Sequence, residues 1–331
     1  MSKLIVITGV TGAQGSSIAK TFLTLPGWRV RGITRNPSSA TSLALSSLGV
    51  EIVKGDLDDK SSLIPAFKDA HTIFANPDFL NHFFSAIADP ALASSHDGNA
   101  KRYAHDREVQ HGLNIAEVAA SPAVLATLQL FIYSSLQHAS EASKGKYTEV
   151  YHFDCKAAVL KVIREKYPEL ASKMSLLQMG HYGENWRVLK ALAPRKESGS
   201  GKWLMTRPTS AECVYDFVVA EKDTGEFVRA LVELPPGTNL MGVSESMTAP
   251  EYAAVWGKVH GVEVGFEQVS YDEFFDGFPK VVQEELGDSF KFLEEFGRCG
   301  ALTAAELGVQ LKLTSMEEFI RGEDWSSVVK V

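Results

Sequence analysis

The fold of this protein is decided near its N-terminus by the stretch Leu4-Ile5-Val6-Ile7-Thr8-Gly9-Val10-Thr11-Gly12-Ala13-Gln14-Gly15. A short β-branched run leads directly into a G-x-x-G-x-x-G pattern, which opens a segment with helical periodicity. Glycines in this place permit a tight turn, let the backbone approach a pyrophosphate and allow a helix to pack closely on a strand. Unpaired N–H groups at the helix start favour the phosphates. The stretch predicts a dinucleotide-binding βαβ unit, and the alternative is a plain strand-to-helix turn.

The loop supplies the first group of expected cofactor contacts. These are Gly9, Thr11, Gly12, Ala13, Gln14 and Gly15.

Strand-like and helix-like segments alternate from this loop to about residue 180. The predicted strands lie at 4–8, 29–34, 51–54, 72–75, 129–133 and 175–179, with helical stretches between them. This alternation predicts right-handed crossovers and an α/β fold with a Rossmann-type doubly wound parallel sheet. Beyond Gly180 the pattern becomes mixed, and 193–202 has the composition of a loop. We expect a dinucleotide-binding domain over 1–180 and a smaller mixed α/β region for substrate or partner over 181–331.

Composition limits the class of function. The 331 residues include 33 Lys plus Arg against 41 Asp plus Glu, a net charge of −8, which argues against direct nucleic-acid binding. The cysteines Cys155, Cys213 and Cys299 are odd in number and widely spaced, which indicates a reducing compartment without disulfides. Neither cysteines nor histidines show metal-ligand spacing, so no metal is expected. His105 and His111 are interpreted as part of the solvated face of a charged helix.

Two apolar stretches bear on targeting. The run at 4–7 is too short for a signal peptide, and the uncharged stretch 118–140 is interrupted by Pro122 and several polar residues. We therefore expect no membrane association and a location in the cytoplasm or the nucleus. A monomer and a homodimer are both open.

The end of the second strand bears on the choice of cofactor. An NAD site places an acidic residue there to bind the ribose 2′-hydroxyl, whereas this chain has Arg35 followed by Asn36 and, after a short turn, Ser39. A guanidinium suits a 2′-phosphate, which favours NADP(H) over NAD(H). The alternative is that Arg35 is a surface cation.

The next two strand ends should border the same ligand, because ligands bind at the carboxyl edge of such sheets. Asp56 and Leu57 follow the third strand, where Asp56 is placed to accept from an adenine amino group. Ala75, Asn76 and Pro77 follow the fourth strand and would flank the ribose. Asp56 is equally suited to cap the helix that starts near Lys60.

Taken together, the chain resembles the NmrA-like family of atypical short-chain dehydrogenases/reductases over nearly its whole length. The motifs that carry the resemblance are Gly9–Gly15, Arg35, Gly55-Asp56-Leu57, Tyr133-Ser134-Ser135, His152-Phe153-Asp154-Cys155-Lys156-Ala157, Tyr182-Gly183-Glu184-Asn185, Asp223-Thr224-Gly225 and Thr248-Ala249-Pro250-Glu251-Tyr252-Ala253. The resemblance implies NADP(H) binding, with Lys156 on the nicotinamide ribose. It also implies that Tyr182, Glu184 and Asn185 lie near the nicotinamide.

The catalytic motif departs from the wider superfamily, whose enzymes use Tyr-x-x-x-Lys. Four residues before Lys156 stands His152, and Tyr151 lies about 100° away around the helix. His152 can donate a proton near neutral pH, and a water held by Ser135 is a further candidate. The alternatives are a structural His152, a solvated Lys156 and a capping role for Ser134 and Ser135.

Two functions follow. The first is an NADPH-dependent oxidoreductase of a small carbonyl, imine or quinone-like substrate, with Lys156, His152 and Ser135 handling the proton. The second is a non-catalytic NADP(H) redox sensor that binds a regulatory protein. Several members of the resembled family are described as regulators of this kind.

A long connection at 76–99 bears on the choice between them. It carries Phe79, Phe83 and Phe84, which would wall an apolar substrate pocket. The alternative is a short amphipathic helix packed on the sheet edge.

Overall fold

The computed structural model describes residues 2–197, 199–298 and 300–329. Cys299 lies outside the described residues, whereas Cys155 and Cys213 are both buried free thiols.

Strands and helices alternate through the first half of the chain and are mixed in the second. The strands are β1 (Lys3–Ile7), β2 (Trp28–Thr34), β3 (Glu51–Lys54), β4 (Thr72–Ala75), β5 (Leu130–Ser135), β6 (Met174–Met179), β7 (His181–Tyr182), β8 (Arg195–Lys196), β9 (Trp203–Arg207), β10 (Val214–Val218), β11 (Asn239–Gly242), β12 (Glu245–Thr248), β13 (Val264–Gln268) and β14 (Leu302–Thr303). The helices are α1 (Ala13–Thr24), α2 (Ala40–Ser47), α3 (Lys60–Phe67), α4 (Phe79–Ala88), α5 (Ala100–Ala119), α6 (Pro122–Leu125), α7 (Ala139–Ala142), α8 (Tyr151–Lys166), α9 (Pro168–Ser172), α10 (Ala220–Glu233), α11 (Ala249–His260), α12 (Tyr271–Phe274), α13 (Lys280–Phe296), α14 (Met316–Gly322) and α15 (Ser326–Val329). Short 3₁₀ segments span Pro90–His96, Gly183–Arg187 and Lys190–Leu192.

The main sheet has eight strands in the order β14-β11-β6-β5-β4-β1-β2-β3, and every neighbouring pair is parallel. The order reverses between β1 and β4, which is where such sheets bind dinucleotides. Two three-stranded sheets, β12-β10-β7 and β13-β9-β8, stand beside it. The predicted Rossmann-type α/β fold with a smaller mixed region is confirmed.

The sheet is covered by helices on both faces, as its strand sequences predict. In β1, Leu4 and Val6 pack into one core cluster and Ile5 and Ile7 into another, and all four are fully buried. A parallel strand buried on both faces needs an unbroken apolar run rather than an alternating one. This explains why the five-residue β1 contains four apolar residues in succession.

The sheet does not end at residue 180. Strands β11 and β14 extend it, and helix α10 packs against α1, where a Cβ on Gly225 would lie 2.0 Å from the Thr21 hydroxyl oxygen. The Gly225 N–H also donates to the Ser17 hydroxyl at 3.0 Å. Residue 180 therefore marks where the regular alternation stops, while its role as a domain boundary stays a prediction.

The connection at 76–99 is helical rather than an open loop. Phe79 and Phe83 on α4 are buried in a cluster with Ala104 of α5, Cys155 of α8 and Val282 of α13, whereas Phe84 is 38% exposed. The alternative interpretation, an amphipathic helix, is thus what the structure has. Its packing partners are α5, α8 and α13 rather than the sheet edge.

Two predictions about irregular or apolar stretches can be compared with the structure. The prediction of a loop at 193–202 is wrong in part, because β8 lies within this stretch and forms an antiparallel pair with β9. The uncharged stretch 118–140 is divided among α5, α6, β5 and α7. Within the described part of the chain, no helix is both long enough and apolar enough to span a bilayer.

Candidate active site at the carboxyl edge of the sheet

Parallel pairing places the ends of β1 to β6 at one edge, and the predicted site residues follow these ends. Thr8 fixes the spacing between the ends of the two central strands, β1 and β4. Its hydroxyl donates to the Phe74 carbonyl at 3.2 Å and accepts from the Asn76 N–H at 2.9 Å. The Gly9 loop and the segment Asn76–Pro77 are thereby held side by side, next to the buried Ala75.

The glycine loop has the form that a dinucleotide needs. Gly9 has φ of +65°, and the Gly12 N–H donates to the Gly9 carbonyl at 3.0 Å. A Cβ on Gly15 would lie 2.3 Å from that carbonyl oxygen, so only glycine allows α1 this close to β1. Among the described side chains none caps α1, which leaves its first N–H groups to a ligand. Thr11 and Gly12 are exposed at the tip of the loop.

Gln14 connects three elements around the loop. Its amide nitrogen donates to the Tyr182 hydroxyl at 2.6 Å, and its amide oxygen accepts from the Ser134 hydroxyl at 2.9 Å. Burial raises the pKa of Tyr182 to about 12, despite the nearby charge of Lys156. The side chain of Gln14 is therefore engaged within the protein, and its backbone N–H remains for the predicted phosphate contact.

The end of β2 presents an exposed cation. Arg35 forms no hydrogen bond or ion pair with any residue that the structure describes. The side chain of Asn36 accepts from the Ser38 N–H at 3.1 Å, and the hydroxyl of Ser39 caps α2. The turn is thus held locally while the guanidinium is free to meet an anion.

The segment after β3 shows which residue caps α3. The residue that caps α3 is Asp59, whose carboxylate accepts from the Ser61 N–H, so the capping alternative for Asp56 is wrong. Asp56 instead accepts from the Asp58 N–H at 3.1 Å. Leu57 packs on the core, and its carbonyl accepts from Asn114 at 2.7 Å.

Lys156 is buried beside a carboxylate that the sequence analysis did not identify. Its ammonium forms a short ion pair with Glu108 of α5, which is completely buried and also accepts from the Cys155 thiol at 3.0 Å. Burial alone would lower the pKa of Lys156, but the charge of Glu108, the neighbouring Cys155 and the hydrogen bond to Glu108 together outweigh burial and raise the pKa. Lys156 therefore keeps its positive charge inside the protein, and the interpretation as a solvated lysine is wrong.

His152 is held by a second carboxylate that the sequence analysis missed. Its Nδ1 lies 2.6 Å from Oε1 of Glu285 on α13, and its backbone N–H donates to the same oxygen at 2.9 Å. The rings of Phe79 and Phe153 flank it, with centroids 5.9 and 4.6 Å away. His152 and Lys156 lie one helical turn apart on α8.

Ser135, at the end of β5, and the loop after β6 lie at the same edge of the sheet. The Ser135 hydroxyl is buried and donates to the Leu136 carbonyl at 3.2 Å. Glu184 accepts the Glu221 N–H at 3.0 Å at the start of α10, and burial raises the pKa of its carboxyl. Asn185 lies in the same 3₁₀ segment. The contacts of Glu184 are those of a helix cap, so its expected contact with a cofactor stays a prediction.

The interpretation of His111 as solvated is wrong. It is only 6% exposed, its Nε2 lies 2.8 Å from Asp58, and its Nδ1 lies 3.4 Å from His82 on α4. Burial lowers the pKa of His82 to about 4. The helical connection at 76–99 covers this side of α5, which composition could not show. In the described ranges no set of His, Cys, Asp and Glu has the geometry of a metal site.

The comparisons with known proteins agree with this architecture. The family model described as "NmrA-like family" matches residues 1–320. An NmrA-like family domain-containing oxidoreductase of Aspergillus hancockii, hkm9, is 28% identical over 294 residues, covering 84% of this chain and 78% of its own.

Two solved structures share the fold. The negative transcriptional regulator NmrA, in complex with NADP, superposes with a TM-score of 0.68 at 18% identity, covering 98% of this chain and 99% of its own. The triphenylmethane reductase of Citrobacter sp., complexed with NADP(H), gives 0.65 at 16% identity, with 97% and 99% covered.

Proposed function

The chain belongs to the NmrA-like family, and from this we propose that it is an NADPH-dependent oxidoreductase of a small carbonyl, imine or quinone-like substrate. The observation that carries the proposal is the pairing on α8 of a buried, charged Lys156 with a His152 oriented by Glu285. A protein that only senses the cofactor needs Lys156 but has no use for an oriented proton donor.

The residues present fit NADP(H). The Gly9–Gly15 loop is so tight that a Cβ on Gly15 would clash with the Gly9 carbonyl, the start of α1 lacks a side-chain cap within the described chain, and Arg35 is an exposed cation at the end of β2. These features suit the pyrophosphate and the 2′-phosphate. Structural relatives crystallised with NADP or NADP(H) support the same cofactor.

The roles of the chain's own residues follow from their positions. Bound NADPH would supply a hydride from the nicotinamide. Lys156 is placed to hold the nicotinamide ribose, and His152 to give a proton to the substrate oxygen or nitrogen. Ser135 is a further candidate through a bound water. We place the substrate between these residues and the region 181–331, because α13 of that region supplies Glu285.

Turnover tests the proposal directly. The protein is incubated with NADPH and, separately, 9,10-phenanthrenequinone, menadione, a cyclic imine and an aromatic ketone, while the absorbance of NADPH is followed. We expect oxidation of NADPH with at least one acceptor, and its loss in Lys156→Ala but not in Lys161→Ala, an exposed lysine on the same helix. The double variant Lys156→Met/Glu108→Leu, which removes both buried charges, guards against misfolding of the single variant.

Tight NADPH binding without oxidation of any acceptor would contradict the oxidoreductase. That result would favour the redox sensor that acts on a regulatory protein partner.

Cofactor preference gives a separate prediction for Arg35. Loss of one charge-assisted contact to a phosphate costs about 1.5–3 kcal/mol, so Arg35→Gln should weaken NADPH binding about 10- to 100-fold and leave NADH binding nearly unchanged. The matched control is Arg29→Gln, at an exposed position on the same strand. Both dissociation constants are measured by nucleotide fluorescence. An equal loss for the two cofactors would remove Arg35 from the 2′-phosphate site.

A further inference from the structure

We propose that Glu285 is a positioning residue of this site: it fixes the Nδ1–H tautomer of His152 and so makes Nε2 the atom that protonates the substrate. This inference rests on the proposed function and adds to it a group from the C-terminal region. Glu285 is 133 residues away from His152 in sequence, and it does not belong to the motifs at the sheet edge.

The tautomer follows from the hydrogen bonds. Oε1 of Glu285 accepts the backbone N–H of His152 at 2.9 Å and lies 2.6 Å from its Nδ1. A carboxylate oxygen that already accepts one N–H is an acceptor for the ring nitrogen as well, so Nδ1 carries the proton. Nε2 is then the ring nitrogen left for a substrate.

The burial of Glu285 indicates more than a packing role. Its side chain is completely buried, and in the described part of the chain its ion-pair partner is His152 rather than a lysine or arginine. An isolated buried carboxylate is unfavourable unless it is paired and hydrogen-bonded. The start of α8, which has no side-chain cap from its own segment, stabilises this charge through the helix dipole. A protonated His152 would compensate this charge at Oε1, while the buried Oε2 has no hydrogen-bond partner among the described residues.

The groups around His152 are few. On α8 the nearby charges are Asp154, which accepts hydrogen bonds from Ser140, and Lys156, which is already paired with Glu108 of α5. Helix α4 contributes the Phe79 ring and, at its N-cap, Asp78. Helix α13 contributes Glu285, whose carboxylate lies within hydrogen-bonding distance of the imidazole.

The proton step balances with the hydride. The carbonyl carbon of a ketone or quinone gains the hydride, and its oxygen takes the proton from Nε2 of the imidazolium. The nicotinamide would supply that hydride and be oxidised to NADP⁺, and His152 would remain neutral with its Nδ1–H still donated to Glu285. Water then returns a proton to Nε2. The carboxylate stabilises the imidazolium before the step and keeps the ring oriented after it.

Two substitutions separate charge from geometry. Glu285→Gln keeps an acceptor of the same size but removes the charge, and Glu285→Leu removes both. With NADPH and 9,10-phenanthrenequinone, we expect Glu285→Gln to lower kcat at least about tenfold with KM changed less than about threefold. The neighbouring exposed Glu284→Gln should leave both unchanged.

A readout without turnover keeps the inference testable if no substrate is found. In ¹⁵N spectra of histidine-labelled protein, with the signals of His152 identified by their loss in His152→Gln, we expect the Nδ1–H tautomer in the wild type and in Glu285→Gln. Glu285→Leu should shift it to Nε2–H. A wild-type ring already protonated at Nε2 alone would overturn the inference. So would a Glu285→Gln protein that melts at a lower temperature but keeps its kcat. Failure of every acceptor with an intact Nδ1–H tautomer would count against the proposed function and not against this pairing.

Discussion

A Gly15→Ala protein is expected to lose about 2–3 kcal/mol of unfolding free energy and to bind NADPH about 100-fold more weakly. The new methyl carbon would stand 2.3 Å from the Gly9 carbonyl oxygen and 2.7 Å from the Val10 Cα. Both neighbours are backbone atoms, so no side-chain rotation relieves the clash. Helix α1 must move away from the loop, and the N–H groups that would meet the pyrophosphate move with it.

Two other glycines serve as controls for this effect. At Gly12 the added carbon would lie 3.4 Å from the Gly9 oxygen, so Gly12→Ala should melt near the wild-type temperature while NADPH binding still weakens. In α13, a Cβ on Gly287 would make ordinary contacts of 3.7 Å, and Gly287→Ala should be neutral or stabilising. Urea unfolding and NADPH fluorescence titration measure the two quantities. If Gly15→Ala matched Gly287→Ala in both, the close approach of α1 to the loop would be refuted.

Glu108→Leu is expected to destabilise the protein by about 3–5 kcal/mol, because it leaves the Lys156 ammonium buried without its carboxylate. The Lys156→Met/Glu108→Leu double variant should recover most of that loss, since both charges then disappear from a site where the Glu108 side chain is fully buried and that of Lys156 nearly so. A coupling free energy of several kcal/mol in this double-mutant cycle is the quantity to measure.

The exposed ion pair Lys60–Glu117 supplies the comparison for this cycle. Its two side chains are 46% and 52% exposed, so the same cycle should give less than about 1 kcal/mol. Equal coupling in the two cycles would mean that water reaches the Glu108–Lys156 pair. The double variant should also have lost NADPH binding, because Lys156 is the proposed ribose contact.

The sequence predicted the parallel sheet and the glycine loop because both depend on neighbouring residues. Short runs of two to four apolar residues, separated by helical stretches, define strands such as β1, β3 and β4 to within one residue. The glycine loop is recognisable for the same reason, since the turn, the start of α1 and the close approach of α1 to β1 all involve residues 9–15. Arg35 became a candidate for the 2′-phosphate because it directly follows a predicted strand, and that role stays a prediction.

The two carboxylates at the site could not be found in this way. Glu108 lies on a helix with charged residues around its whole circumference, so nothing in its periodicity marks one acid as buried. Glu285 and His152 meet only through tertiary packing across 133 residues. His111 was misinterpreted for the same reason, because the element that covers it, α4, comes from the connection at 76–99.

The strands that complete the main sheet have a consequence for how the protein is made on the ribosome. Residues 1–180 carry the cofactor loop, yet β6 pairs with β11, which is synthesised about 60 residues later. At about 5–20 residues per second, β6 shows an unpaired edge for several seconds during synthesis. The face of α1 that receives α10 is uncovered over much of the same interval. The nascent N-terminal half therefore exposes an unpaired strand edge, and the contact between His152 and Glu285 forms only when α13 has been translated.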